Sequence, residues 1–76
     1  MSQNYVEKAV VDMAILELLD AYETAMQLER ELADHKSRAQ SQRIACTIEA
    51  SLRKISCYGT QPTTDLSMAK IQAIKD

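Results

Sequence analysis

Between residues 4 and 35 apolar side chains recur at the three- and four-residue spacing of a helix, and no Gly or Pro interrupts them. At 100° per residue, one half of the predicted cylinder carries Val10, Val11, Ala14, Ile15, Leu18, Leu19, Ala21, Tyr22, Ala25, Met26, Leu28, Leu32 and Ala33. The other half carries Asp12, Glu17, Asp20, Glu23, Gln27, Arg30, Glu31 and Asp34. An apolar face of roughly 180° is wider than the ~100° stripe of a helix that touches one neighbour, so this helix needs two. Asn4 is the predicted N-cap, with Glu7 placed as a capping box requires. Met13 and Leu16 break the pattern on the polar side, with Val6 nearby, and Glu29 breaks it on the apolar side.

Residues 36–43 are polar apart from Ala39. Beyond them the apolar stripe resumes as Ile44, Ile48, Leu52 and Ile55, turned by roughly 100° from the first stripe if the helix were unbroken. A long seam stays in phase, so a turn near 35–40 explains the shift better than one continuous rod. The second helix is predicted over about 39–58, with Arg53 and Lys54 in its last turns and Gly59 as the residue beyond its end. Gly59-Thr60-Gln61-Pro62-Thr63 reads as a loop, and Thr63 or Thr64 caps a third helix over about 65–75.

The predicted fold is therefore all-α, an antiparallel helical hairpin plus a short C-terminal helix within a single helical domain, 1–76. At 1.5 Å per residue the first helix is ~48 Å long and the second ~30 Å. The second and third helices together leave part of the broad face open. A second copy of the chain closes it, giving a helical bundle that is a dimer or a higher oligomer. Leu18, Tyr22, Ile48 and Leu52 are the expected self-association residues.

Composition narrows the class. Seventy-six residues with one Gly, one Pro, two Cys and 46% apolar content describe a small globular chain, not a low-complexity or collagen-like one. No apolar run approaches the ~20 residues of a membrane span. The opening Met1-Ser2-Gln3-Asn4-Tyr5 reads as neither a signal nor a transit peptide, and two Cys without a CxxC fit a reducing cytoplasm. With two Cys and one His, the chain falls short of the four ligands of a structural zinc site, so no metal or other cofactor is expected. Glu31 and His35, four apart, read as a wet helical end rather than as a ligand pair.

Catalytic motifs are missing from the sequence: it has no G-x-S-x-G, no P-loop and no H-E-x-x-H. The charge is strongly partitioned. Residues 1–34 carry eight acids against two bases, a net −6, and residues 35–58 carry five bases against one acid, a net +4. Arg43, Arg53 and Lys54 flank a stripe of small residues, Ala39, Cys46, Ala50 and Cys57. An acidic helix beside a basic one is the simplest account of this partition. The expected function is a non-enzymatic protein that self-associates and modulates or inhibits another protein. Candidate partner-binding residues are Arg43, Arg53 and Lys54 on the basic side, and Val6, Met13 and Leu16 on the apolar one. Small acidic helical chains of this kind are common among bacterial accessory regulators and phage-encoded proteins that act in the host cytoplasm, a parallel of size and class only. The alternative is a nucleic-acid-binding regulator that uses the basic face of the second helix. An acidic pI near 5.3 and the lack of an aromatic among those cations weigh against it.

Overall fold

The computed structural model describes residues 2–76, with side chains from Lys8 onward. The chain forms α1 (Ser2–Glu31), α2 (His35–Ile55) and α3 (Gln61–Lys75), with one 3-10 turn, Ser56–Tyr58, after α2. This is the expected all-α architecture, a hairpin with a third helix docked on it, and α2 and α3 both pack on α1. The molecule is elongated, 51 × 19 × 14 Å, because α1 is longer than either of the helices that cover it.

Three boundaries differ from the sequence expectation, each for a local reason. Asn4 lies inside α1 rather than at its cap, and the side chains of Asn4, Val6 and Glu7 fall outside the described residues. The reversal comes at residues 32–34, earlier than the expected 35–40. Asp34 is an N-cap with extended backbone, and its carboxylate accepts from the Ser37 backbone N–H and hydroxyl, both at 2.9 Å. His35 is accordingly the first residue of α2, so Glu31 and His35 do not share a helix. The supposed loop 59–63 shrinks to Gly59 and Thr60. Thr60 is the N-cap of α3 and Pro62 lies in its first turn, where a fixed φ and a missing N–H cost nothing.

The core is thin. Ile15, Leu19, Tyr22 and Ala25 of α1 meet Ala45 and Leu52 of α2 and Ile71 of α3. Val11, Leu18, Met26, Ile48, Ile55, Met68 and Ile74 pack around them, partly buried. The polar stretch 36–43 conceals one core position. Ser41 is buried, and its hydroxyl donates to the Ala25 carbonyl at 2.8 Å where two small residues let α1 and α2 approach. The expected small-residue stripe does not serve that purpose within the chain, because Ala39, Cys46, Ala50 and Cys57 are all exposed. Both cysteines are free thiols.

Gly59 has an ordinary backbone, φ −88° and ψ −177°, so it is not a left-handed cap. Its reason is space. A Cβ there would lie 2.7 Å from Asp12 Oδ1 and 2.8 Å from Ile15 Cδ1. A side chain there would force the Asp12 carboxylate, held by Thr60, or the buried Ile15 methyl to move aside.

Two stability outcomes follow from the core. Leu52→Ala or Ile15→Ala, each at a fully buried site, should lower the unfolding free energy in urea by ~2–5 kcal/mol. Ser67 of α3 is fully buried and its hydroxyl has no hydrogen-bond partner among the described residues. Ser67→Ala should therefore stabilise the fold by about 1 kcal/mol, raising Tm by ~4–8 °C. A lowered Tm in that variant would show that the hydroxyl has a partner in solution.

Candidate functional site

Two polar anchors fix where α3 sits. At one end Asp12 of α1 receives the start of α3. Its Oδ1 accepts from the Thr60 backbone N–H at 2.9 Å and its Oδ2 from the Thr60 hydroxyl at 2.7 Å. A carboxylate beside a helix N-terminus also suits the helix dipole. The Thr60 hydroxyl and backbone bonds, in that order, hold the Asp12 carboxyl below its ordinary 3.8. At the other end Arg30 Nη2 donates to the Ile74 carbonyl at 3.0 Å, closing the last turn of α3. α3 thus runs parallel to α1.

On α2, Glu49 ties all three helices together. Arg53 donates to Glu49 Oε2 through Nε at 3.1 Å and Nη2 at 2.8 Å. Lys75 Nζ of α3 lies 3.3 Å from the same oxygen, and the Tyr22 hydroxyl of α1 donates to Oε1 at 3.2 Å. The Arg53 bond is the main reason the Glu49 carboxyl stays below its ordinary 4.5 despite some burial. Burial, and then the Glu49 charge, push the Tyr22 phenol from 10.0 up to about 12.

This hub divides the basic residues expected to act together. Arg53 is exposed but paired with Glu49, whereas Arg43 and Lys54 lie within ~20° of each other on the outer side of α2, exposed and without an ion pair among the described residues. Lys36 falls on the same line. Among the described residues no group of three or more His, Cys, Asp or Glu side chains is placed to hold a metal ion.

The exposed apolar side chains form two faces. On the α1/α3 side Leu16 and Leu66 flank a shallow cleft of ≈310 Å³ that also takes in Leu19, with Glu17, Asp20 and Lys70 at its rim. Leu16 is 47% exposed and Leu66 53%, and Met13 on α1 is 62% exposed. Leu16 thus gains a partner, Leu66, that no pattern in the sequence linked to it, and Met13 lies one helical turn before it on α1. On the side of the hairpin away from α3, Val10, Leu28 and Ile44 are exposed, and the half-buried Leu18 and Ile48 lie between them and the core. Of the four residues expected to self-associate, Leu18 and Ile48 border this second face. Tyr22 and Leu52 are instead enclosed within the chain's own core. Glu29, the carboxylate out of pattern, is half-buried beside the α1–α2 turn and lines a small cavity with His35 and Arg38.

Compared with known proteins, the chain matches no family model, no curated sequence and no solved structure.

The anchors give stability a defined pH profile. Glu49 and Asp12 have depressed folded-state values, so their contribution is full above the ordinary carboxylate range and is lost as pH falls through the folded values. Tyr22 has the opposite sign. Its contribution is full below pH 10 and declines as pH rises from 10 to about 12. Urea melts should show both legs. Glu49→Gln should flatten the acid leg and Tyr22→Phe the alkaline one, and an unchanged alkaline slope in Tyr22→Phe would refute the assignment.

Proposed function

We propose that this chain is a non-enzymatic helical protein that self-associates and binds another protein, which it modulates or inhibits in the cytoplasm. One observation carries the reading. Among the described residues of an 8.5 kDa chain, seven large apolar side chains are more than two-fifths exposed, and six of them fall on two opposite faces instead of being scattered. Isolated exposed apolar residues are ordinary, whereas gathered ones mark contact surfaces. The face made by Met13, Leu16 and Leu66 is the proposed partner site. Its charged rim of Glu17, Asp20 and Lys70 gives it the polar border of an interface. Arg43 and Lys54 form a second candidate contact, on the outer side of α2. This is the role that small bacterial regulators and phage host-modulating proteins fill, and it is proposed here by that parallel alone.

The alignment of Lys36, Arg43 and Lys54 along one side of α2 favours a second reading, nucleic-acid binding. Salt separates the two. Binding to phosphates falls steeply with ionic strength because counterions are released, and a mainly apolar contact does not follow that law.

Leu16→Glu with Leu66→Glu should leave helical content unchanged, since both side chains are about half exposed. The same pair should abolish stoichiometric capture of a cytosolic protein from lysate. Arg43→Glu with Lys54→Glu should leave the fold intact and weaken that capture only if the partner is acidic. Capture that survives both pairs of substitutions, or salt-sensitive retention on duplex DNA, would overturn the partner-site assignment.

A further inference from the structure

We infer that a second copy of this chain covers the α1/α2 face, in a two-fold dimer whose axis runs along the helices, so that each α1 lies against its partner's α2. This deepens the self-association reading and rests on it. Three observations carry it, and none comes from the partner site on the other side of the molecule.

The first is periodicity. Ala14, Leu18, Ala21, Ala25, Leu28 and Leu32 follow one another at alternating spacings of four and three. That is the spacing of a seam between packed helices. Within the chain only Ala25 of this row is fully buried; Ala21 and Leu28 are exposed. Across the hairpin Ile44 and Ile48 continue the same face, with Ile44 56% exposed. The third helix leaves this face open, because its anchors on Asp12, Arg30 and Glu49 all lie on the other side.

The second is area. The chain exposes 5548 Å², whereas a folded monomer of its mass exposes roughly 4,650 Å². The elongated outline contributes to the excess, and so do Val10, Leu28 and Ile44 on the open face, each about half exposed, which a further copy seated there covers.

The third is charge, and it selects the arrangement. Two hairpins stacked face to face have two closed two-fold solutions. With the axis across the helices, α1 lies on its own copy, and residues 1–34 at net −6 meet themselves. With the axis along the helices, α1 lies on the partner's α2, so the −6 segment meets the +4 segment twice. Glu31 of α1 and Lys36, Arg43 and Lys54 of α2 are exposed members of those two segments. Charges at the flanks of a helical seam set partner choice and orientation in this way.

Mass and end-to-end geometry test the inference together. Sedimentation equilibrium at micromolar concentration should give ~17 kDa, twice the chain mass. Ile44→Glu should halve it while far-UV helicity stays constant, because the side chain is already more than half exposed. For geometry, a nitroxide is placed at Ala33→Cys, in the turn, with the exposed Cys46 and Cys57 replaced by Ser. The inferred dimer holds both turns at one end, within about 20 Å of each other, two helix spacings apart. The alternative dimer separates them by the length of α2, at least about 30 Å. A monomer at all concentrations overturns the inference and the self-association reading together. A larger assembly, a dimer that Ile44→Glu does not split, or labels about 30 Å or more apart overturns the inference alone.

Discussion

The apolar half of α1 is broader than the rest of the chain can cover, and that mismatch governs the structure. Burial of apolar surface is the main favourable contribution to folding. Here it is concentrated on one helix of 30 residues, against 21 in α2 and 15 in α3. The two shorter helices take adjacent flanks of α1 and share Ile15, Leu19 and Tyr22 between them. What lies beyond α2 stays exposed. The thin core and the elongated shape both follow from this allocation.

Polar groups then decide register within it. Hydrophobic contact is non-directional and allows a helix to slide or roll. Asp12 on Thr60, Arg30 on the Ile74 carbonyl and Glu49 on Lys75 are directional, and they hold the two ends of α3. Ser41 does the same for α2 through the Ala25 carbonyl. Exposed ion pairs contribute little to stability individually. Their geometric effect is larger, because bonds at both ends of α3 leave it one position along α1.

The helix count, the hairpin and the α1/α2 core were legible in the sequence, since they rest on periodicity and on the phase break between Leu32 and Ile44. The turn was misplaced because Asp34 reads equally well as the polar side of a continuing helix, and only the Ser37 contact reveals it as a cap. The start of α3 is hidden because residues 59–63, with their Gly and Pro, read as a loop, although a first helical turn accepts proline. Leu66 was invisible as a companion of Leu16. The two are 50 residues apart in sequence, and only the docking of α3 brings them to one cleft. Arg43, Arg53 and Lys54 share the flanks of the small-residue stripe in sequence, yet about a quarter of a helical turn separates the paired Arg53 from the other two. Gly59 shows the same limit. Its need is the absence of a side chain against Asp12 and Ile15, which belong to a distant helix.

The connection between α1 and α2 is three residues long, whereas the Asp12–Thr60 anchor joins groups 48 positions apart. Closing a short loop costs less chain entropy than closing a long one. On this ground the hairpin is expected to close first, with α3 docking on a surface that already exists. The same order should run backwards under native conditions: α3 is then a segment whose amides open early to exchange with solvent, and its departure would uncover Ile15 and Leu19 without dismantling the hairpin.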